Sequence, residues 1–441
     1  MSKVVKFGGT SLADASQFKK VYDIIKSDSQ RRYVIPSAPG KRFPDDIKIT
    51  DLLIEYYTEE ASKKVPVFEL IKKRYNGIIA ELGLDYSLDH EFDVIEMNMA
   101  EGCTYDYIVS RGEYLNGLIL AKYLGFEFID ASEVIFIDES GNYDEKMTDP
   151  VLSQRLKNVE YAVIPGFYGS LNTDIKKIKA FSRGGSDVSG SIVAKNAKVD
   201  LYENWTDVSG FLMADPRIVR FPQVIETITY NELRELSYMG ASVLHENSIF
   251  PVRKEGIPIN IKNTNKPNDP GTLIVESTCH KPVHVLTGIA GTKGFATIQI
   301  EKDMMNTEVG FIRKVLQVFE EHNVSVEHIP SGIDIMTVIV KTEDFIQKEQ
   351  DILSGIHRAV HPDSIVLESD LALIAVVGRG MKEKLGVAAK VFDALAKNRI
   401  NVKMIDQGSS ELNIVIGVRN RHFESAICAI YEEFIKIKES Q

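Results

Sequence analysis

The chain has 441 residues, too many for one ordinary core, so two or three domains are expected. Hydrophobic residues make up 44% and charged residues 26%, the balance of a soluble globular protein, and no apolar run is long enough to span a bilayer. A formal net charge of −11 argues against nucleic acid or an anionic membrane as partner, while leaving room for a local basic pocket.

Cys103, Cys279 and Cys428 are few and far apart. They read as reduced thiols acting as small apolar filler in a cytosolic protein, not as a disulfide framework or a zinc site. The N-terminus starts at once in a strand and has no signal-peptide pattern.

Lys3 to Phe7 reads as a short buried strand, broken by Gly8-Gly9-Thr10-Ser11, and a helical run opens near Asp14. Arg32 to Ile35 reads as a strand and Asp51 to Ser62 as a helix. Val67 to Leu82 and Tyr105 to Tyr123 are also helical, while Phe126 to Ile129 and Val134 to Ile137 read as strands. Thr148-Asp149-Pro150 is expected to start a further helix, with proline at its first position. Tyr161 to Gly166 is another buried strand running into a loop. After a short polar hairpin comes Ile178 to Asp187, then helical spacing from Val188 to Ala197, with Ser186 or Asp187 as N-cap. Val199 to Asn204 and Ile257 to Ile261 complete a mostly parallel sheet. The alternation implies an α/β/α sandwich with ligands at the carboxyl ends of the strands, where both glycine pairs would lie.

Strand, glycine pair and helix start together let backbone N–H groups approach a phosphate, because glycine has no Cβ to hold an anion away. Lys6 would add a cation there, although the first segment taken alone fits a tight βα turn with a solvated lysine better. Arg183, ahead of Gly184-Gly185, can grip a carboxylate or phosphate with two parallel hydrogen bonds. Two such loops in one domain suggest two anionic substrates.

The run Asn204 to Gly210 can present Thr206 and Asp207 to a ribose or base, and Arg217, after Asp215-Pro216, can reach a phosphate; a surface turn is the rival reading. Glu113 lies in a helical pattern, either facing a pocket to take an ammonium or on a solvated face. Ser37 and Thr50 flank the polar loop from Gly40 to Lys48, and Lys266 sits in a Pro/Asn loop from Asn263 to Gly271. There is no GxxxxGK[ST] loop, no HRD or DFG set, no GxSxG elbow and no metal-ligand histidine spacing. His245 reads as a core or interface histidine.

After about Ser277 the character changes, and an internal repeat appears with an offset of 76 residues. Gly310 matches Gly386, Phe311 to His322 matches Val387 to Asn398, and Val324-Ser325-Val326 matches Ile400-Asn401-Val402. Gly332 matches Gly408, and Ile335 to Val340 corresponds to Leu412 to Val418. Each unit reads βαββαβ, a ferredoxin-like sandwich. A seam that takes small effectors and a dimerisation module without ligand are both compatible with it.

Taken together, Lys6-Phe7-Gly8-Gly9-Thr10-Ser11, Ser182-Arg183-Gly184-Gly185-Ser186-Asp187, Trp205 to Gly210, Asp215-Pro216-Arg217, Gly240-Ala241 with Val243-Leu244-His245, and the tandem repeat resemble the aspartate kinases of the amino-acid kinase family. The resemblance covers essentially the whole chain. It implies an amino-acid-kinase-type α/β/α sandwich over 1–280 and two ACT domains over 281–441, the first repeat about 303–368 and the second about 369–441, completed by 282–302. It implies ATP-dependent phosphorylation of the β-carboxylate of L-aspartate, with Mg²⁺ entering on ATP and no metal ligands from the protein. Lysine or threonine is implied as effector, a cytoplasmic homo-oligomer built through the ACT domains as assembly, and no nucleic acid or membrane as partner.

By resemblance, Lys6, Gly8 and Gly9 contact phosphate, with Lys6 stabilising charge on the transferring group and Asp187 orienting the basic groups. Thr206, Asp207, Leu212, Arg217, Asn265 and Lys266 fall at nucleotide contacts. Arg183 would clamp the α-carboxylate of aspartate and Glu113 its ammonium, with Ser37, Thr50, Gly184, Gly185 and Ser186 lining that pocket. Met305, Phe311, Ser325, Val326, Glu327 and Ser331 match effector-pocket positions; Glu327 is longer than the aspartate often found there. Two rival readings differ in class. One is an enzyme of the same fold acting on glutamate, carbamate or a nucleoside monophosphate. The other is an amino-acid-binding regulator with an inactive kinase half, and intact Lys6, Glu113, Arg183 and Asp187 argue against it. An appended dehydrogenase is not expected, since no further GxGxxG-type domain follows the second repeat.

Overall fold

In the computed structural model the described residues are 2–435, apart from 183, 242, 243, 245, 279–281, 283 and 383. Backbone contacts divide the chain into two units. The first comprises Met1–Phe211, Val224–Tyr230 and Ser242–Thr278, and the second comprises Leu212–Gln223, Asn231–Ala241 and Cys279–Gln441.

The strands of the first unit are β1 (Lys3–Phe7), β2 (Arg31–Pro36), β3 (Glu127–Phe128), β4 (Phe136–Ile137), β5 (Ala162–Val163), β6 (Tyr168–Leu171), β7 (Asp174–Ala180), β8 (Leu201–Thr206), β9 (Thr227–Thr229), β10 (Ile259–Asn263) and β11 (Thr272–Val275). Eight of them form one sheet in the order β3-β5-β2-β1-β8-β10-β11-β9. Every pair from β3 to β10 is parallel, and only β10–β11 is antiparallel. Strands β4, β6 and β7 form a small separate sheet. A parallel sheet must be covered on both faces, and central β1 shows it: Val4, Val5 and Phe7 are fully buried. Phe7, Val34 and Trp205 join one core with Phe18, Phe68, Phe92 and Leu115 from the covering helices.

Local sequence fixes the helix starts. Asp14 caps Ala15–Lys26 by accepting the Gln17 N–H at 3.0 Å, and Thr104 caps Tyr105–Leu124. The expectation of a helix beginning at Pro150 is corrected. The helix spans Glu145–Leu156, because the Asp144 carboxylate accepts the Met147 N–H and starts it earlier, leaving Pro150 inside. The strand expected over 134–137 is also shorter, since Asp130 caps a single helical turn, Ala131–Val134, ahead of β4.

The second unit holds β12 (Gly288–Glu301), β13 (Val326–His328), β14 (Ile335–Lys341), β15 (Ser364–Val377), β16 (Met404–Asp406) and β17 (Asn413–Val418). They form an antiparallel sheet in the order β13-β14-β12-β15-β17-β16. β12 and β15 are each 14 residues long, and register shifts near Lys293 to Thr297 bend the ribbon they make. The stretch Phe295 to Glu301 pairs with β14 and with the start of β15, while Gly288 to Lys293 pairs with the end of β15. Each long strand thereby serves both βαββαβ repeats. In the first repeat Ala296, Ile298 and Ile300 pack with Phe311, Val315 and Phe319 from one face of the helix Phe311–Glu321.

Candidate active site

At the carboxyl end of β1 the chain leaves the sheet through Gly8-Gly9, with the Gly8 N–H donating to the Trp205 carbonyl at 2.9 Å. The loop after β2 lies directly on this turn: the Gly40 N–H donates to the Gly9 carbonyl at 2.8 Å. The approach is too close for side chains. A Cβ on Gly9 would sit 2.8 Å from the Ala38 oxygen, and one on Gly40 would sit 2.6 Å from the Gly9 carbonyl carbon.

The long loop 39–49 is pinned rather than loose. Asp46 accepts from Arg42 Nε and from Arg74 Nη2, both at 2.8 Å. Buried Arg74 also donates to the carbonyls of Ala13, Gly40 and Ile47. The Arg42 hydrogen bond holds the Asp46 carboxyl well below the usual carboxylate range, against its burial. Burial in turn lowers the Arg74 guanidinium. Ser37 stands at the end of this strand–loop junction, its N–H on the Phe7 carbonyl and its own carbonyl accepting from Asn116 Nδ2 at 2.7 Å. Thr50 is half-buried in the first turn of Ile49–Thr58.

Lys6 is 8% exposed and faces the start of the helix Gly185–Asn196, where its Nζ meets Asp187 Oδ1 at 2.6 Å. The same oxygen accepts from Asn204 Nδ2 at 2.9 Å. Neither Ser186 nor Asp187 caps this helix, contrary to expectation. Gly184 occupies the N-cap at φ 58°, in the left-handed region, with no side-chain cap bond. Both side chains therefore fall in the first turn, and Asp187 is released to face Lys6. Ser186 packs on Gly166, where a Cβ would come within 2.7 Å of it, and Gly185 packs on Phe167. Arg183 lies outside the described residues, as do Val243 and His245 of the motif near Gly240.

Glu113 sits in Tyr105–Leu124, whose Gly112 packs against Ala38. Its carboxyl is buried, and Oε2 has no partner among the described residues. Burial pushes its pKa up to about 7, although a backbone hydrogen bond from Ala38 and the charges of Lys6 and Arg111 pull the other way. A carboxyl in this condition is ready to ionise against an incoming cation.

The strand ends of β8 and β10 carry the other polar group. Thr206 donates to Asp207 Oδ1 at 3.2 Å, and its carbonyl accepts the Thr264 N–H. Asn263 donates to Ser209, which reaches Asp269 Oδ2 at 2.6 Å. Asn265 accepts from Lys20 and Gln17, while Lys266 is exposed. Leu212 and Arg217 belong to the second unit, where Arg217 closes on Asp215 at 2.6 Å. Sequence reasoning missed three site-shaping residues: Asp46, Arg74 and Asn204. Asn204 left one readable signal, an amide in the middle of a strand otherwise fit for burial.

In the second unit Met305 and Phe311 are buried core side chains of the first repeat. Ser325 and Ser331 are exposed, Val326 is half-buried, and Glu327 accepts a hydrogen bond from Tyr238. His328 at the end of β13 and Asp406 at the end of β16 meet at 2.7 Å.

The description of the amino acid kinase family matches residues 1–263, and that of the ACT domain matches residues 374–434. Aspartokinase 3 of Bacillus subtilis (strain 168) is 39% identical over 451 residues, covering 98% of both proteins. Chloroplastic aspartokinase 1 of Arabidopsis thaliana is 29% identical over 464 residues, covering 98% of this chain and 80% of that one. Among solved structures, the aspartate kinase of Clostridium acetobutylicum, an allosteric enzyme, matches with a TM-score of 0.88 at 52% identity, over 98% of this chain and 99% of that one. The R-state of E. coli aspartokinase III, solved with aspartate and ADP, shares the fold with a TM-score of 0.75 at 24% identity, over 98% and 99% of the two chains.

Proposed function

The chain belongs to the aspartokinases of the amino acid kinase family, and we propose that it moves the γ-phosphoryl group of ATP onto the β-carboxylate of L-aspartate, giving 4-phospho-L-aspartate for lysine, threonine and methionine synthesis. One observation carries the assignment of roles: Lys6 and Asp187 meet at the junction of the two glycine turns, in the same unit as a buried Glu113 oxygen that lacks a partner among the described residues. A carboxylate is already nucleophilic at neutral pH, so the site needs no general base. Its work is to bring two anions together and to neutralise charge on the group in flight.

In this reading the Gly8-Gly9 N–H groups and Lys6 receive the phosphates, and Asp187 holds Lys6 until they arrive. Thr206, Asp207, Leu212, Arg217, Asn265 and Lys266 are the proposed nucleotide contacts. Glu113 ionises against the substrate ammonium. Arg183 takes the α-carboxylate, with Ser37, Thr50, Gly184, Gly185 and Ser186 around it. Among the described residues no group of three or more His, Cys, Asp or Glu side chains is gathered to hold a metal. In this reading Mg²⁺ would arrive on the phosphates, with water completing its shell.

Lysine or threonine as effector at Met305, Phe311, Ser325, Val326, Glu327 and Ser331 is part of the same proposal. E. coli aspartokinase III has been solved with lysine and aspartate in a T-state, and that precedent supports it. A cytoplasmic homo-oligomer joined through the ACT domains completes the reading; among the described residues Cys103 and Cys428 are free thiols. No helix among the described residues is long and apolar enough to cross a membrane.

The test is ADP release measured with aspartate, glutamate, carbamate and nucleoside monophosphates in turn, with lysine and threonine titrated separately and together. Turnover with aspartate alone supports the proposal. Lysine binding without any ATP turnover would favour the regulatory reading instead.

A further inference from the structure

Asn204 lies directly opposite Lys6 in the parallel pairing of β1 and β8. Residues in register on neighbouring strands point to the same face, about 4.8 Å apart. That face is covered by the helix Gly185–Asn196. Tyr202, two residues before Asn204, reaches the Asp187 carbonyl with its hydroxyl at 3.3 Å. It fits only because position 190 is glycine, where a Cβ would lie 2.3 Å from the Tyr202 hydroxyl. The helix start is thus seated on the strand by Tyr202, and its acidic side chain is met by Asn204.

Asn204 is 3% exposed, between Glu203 and Trp205, which turn to the other face and bond each other at 2.8 Å. A buried amide is costly unless it is hydrogen-bonded. Here the amide is spent on Asp187 Oδ1, the oxygen that Lys6 also meets.

We propose that Asn204 is a positioning residue for phosphoryl transfer. The role rests on the kinase reading and adds to it a residue that touches no substrate. When phosphate arrives, Lys6 must divide its three N–H donors between Asp187 and the phosphoryl oxygens. A second donor on Oδ1 keeps the carboxylate in one rotamer while Lys6 is drawn away. Because that donor is neutral, it adds no cation to compete for the phosphate and no anion to compete for Lys6.

The discriminating experiment compares Asn204→Leu with Asn204→Ser by steady-state kinetics on the full chain. Leucine keeps the volume and loses the donor, whereas serine loses volume and keeps a hydroxyl. A packing role ranks leucine as the milder change, and a donor role ranks serine as the milder one. The expected result is a kcat about tenfold lower for Asn204→Leu and about threefold lower for Asn204→Ser, with the aspartate KM within about twofold of wild type in both. A leucine variant with kcat within about twofold of wild type, or a serine variant no better than leucine, overturns the proposal. If the leucine protein does not fold, the serine protein decides alone, and an unchanged kcat overturns the role. Wild-type protein is assayed first: absence of aspartate-dependent ADP release would refute the kinase reading, and the role with it, whereas normal wild-type turnover with indifferent variants refutes only Asn204.

Discussion

Glu113→Gln removes a carboxyl group that burial holds at a pKa of about 7, against an ordinary 4.5. A carboxyl whose folded pKa is raised binds its proton more tightly in the native chain than in the unfolded one. The native state therefore loses stability as pH rises from about 4.5 to about 7 and stays weakened above that. At about 1.4 kcal/mol per tenfold change in proton affinity, the ionised group costs the free enzyme about 3 kcal/mol at pH 8. Glutamine is neutral at every pH and has nearly the same shape. It leaves a donor at the position where protonated Glu113 also has its hydroxyl, so the two neutral forms should be close in stability.

The expectation is that Glu113→Gln is about 3 kcal/mol more stable than wild type at pH 8 and only about 1 kcal/mol more stable at pH 5. The chain has a single tryptophan, Trp205, buried in the core of the first unit, so urea unfolding followed by its fluorescence reports on that unit. The same variant should bind aspartate more weakly, raising its KM while leaving turnover at saturation less affected. Equal stability at pH 8, or a gain of the same size at pH 5, would refute the idea that a buried carboxyl is held in reserve for the substrate ammonium.

Lys6→Ala should lower kcat far more than it raises the aspartate KM; near-normal turnover in steady-state kinetics contradicts its role. Arg183→Ala should act in the opposite sense, mainly raising the aspartate KM, and an unchanged KM counts against the carboxylate clamp. Asp46→Asn leaves the buried Arg74 without its charge partner and should destabilise the first unit by about 3 kcal/mol, the low end for such a loss because three carbonyls still accept from Arg74. The folded Asp46 carboxyl is shifted down, so its contribution is complete above the ordinary carboxylate range and fades only as pH falls through it. The loss measured by urea unfolding should therefore be the same at pH 6 and pH 8. Gly40→Ala should force the loop off the Gly8-Gly9 turn and depress kcat; wild-type activity would show that the turn tolerates the added Cβ 2.6 Å from the Gly9 carbonyl carbon.

What the sequence made legible was mainly local or repeated. The β1 strand and its glycine pair, the helix after Asp14, and the tandem βαββαβ pattern each follow from spacing along the chain. Lys6 and Asp187 could be named because their motifs are short and self-contained. Their 2.6 Å contact could not, since it depends on Gly184 taking the N-cap in place of Ser186 or Asp187. The loop 39–49 read only as a polar stretch between Ser37 and Thr50, and its anchor is a buried arginine 28 positions away from Asp46. Asn204 was read past because strand patterning predicts burial and does not say which helix start the buried amide will meet.

The two long strands of the second unit have a consequence for how that half of the molecule is inherited and engineered. Each βαββαβ fold borrows an edge from its sibling, so no single cut yields a complete copy. A fragment beginning after residue 301 deprives both halves of a sheet neighbour, and excising either one strands the other. The pair is an indivisible module that must be transplanted, truncated or evolved as one piece.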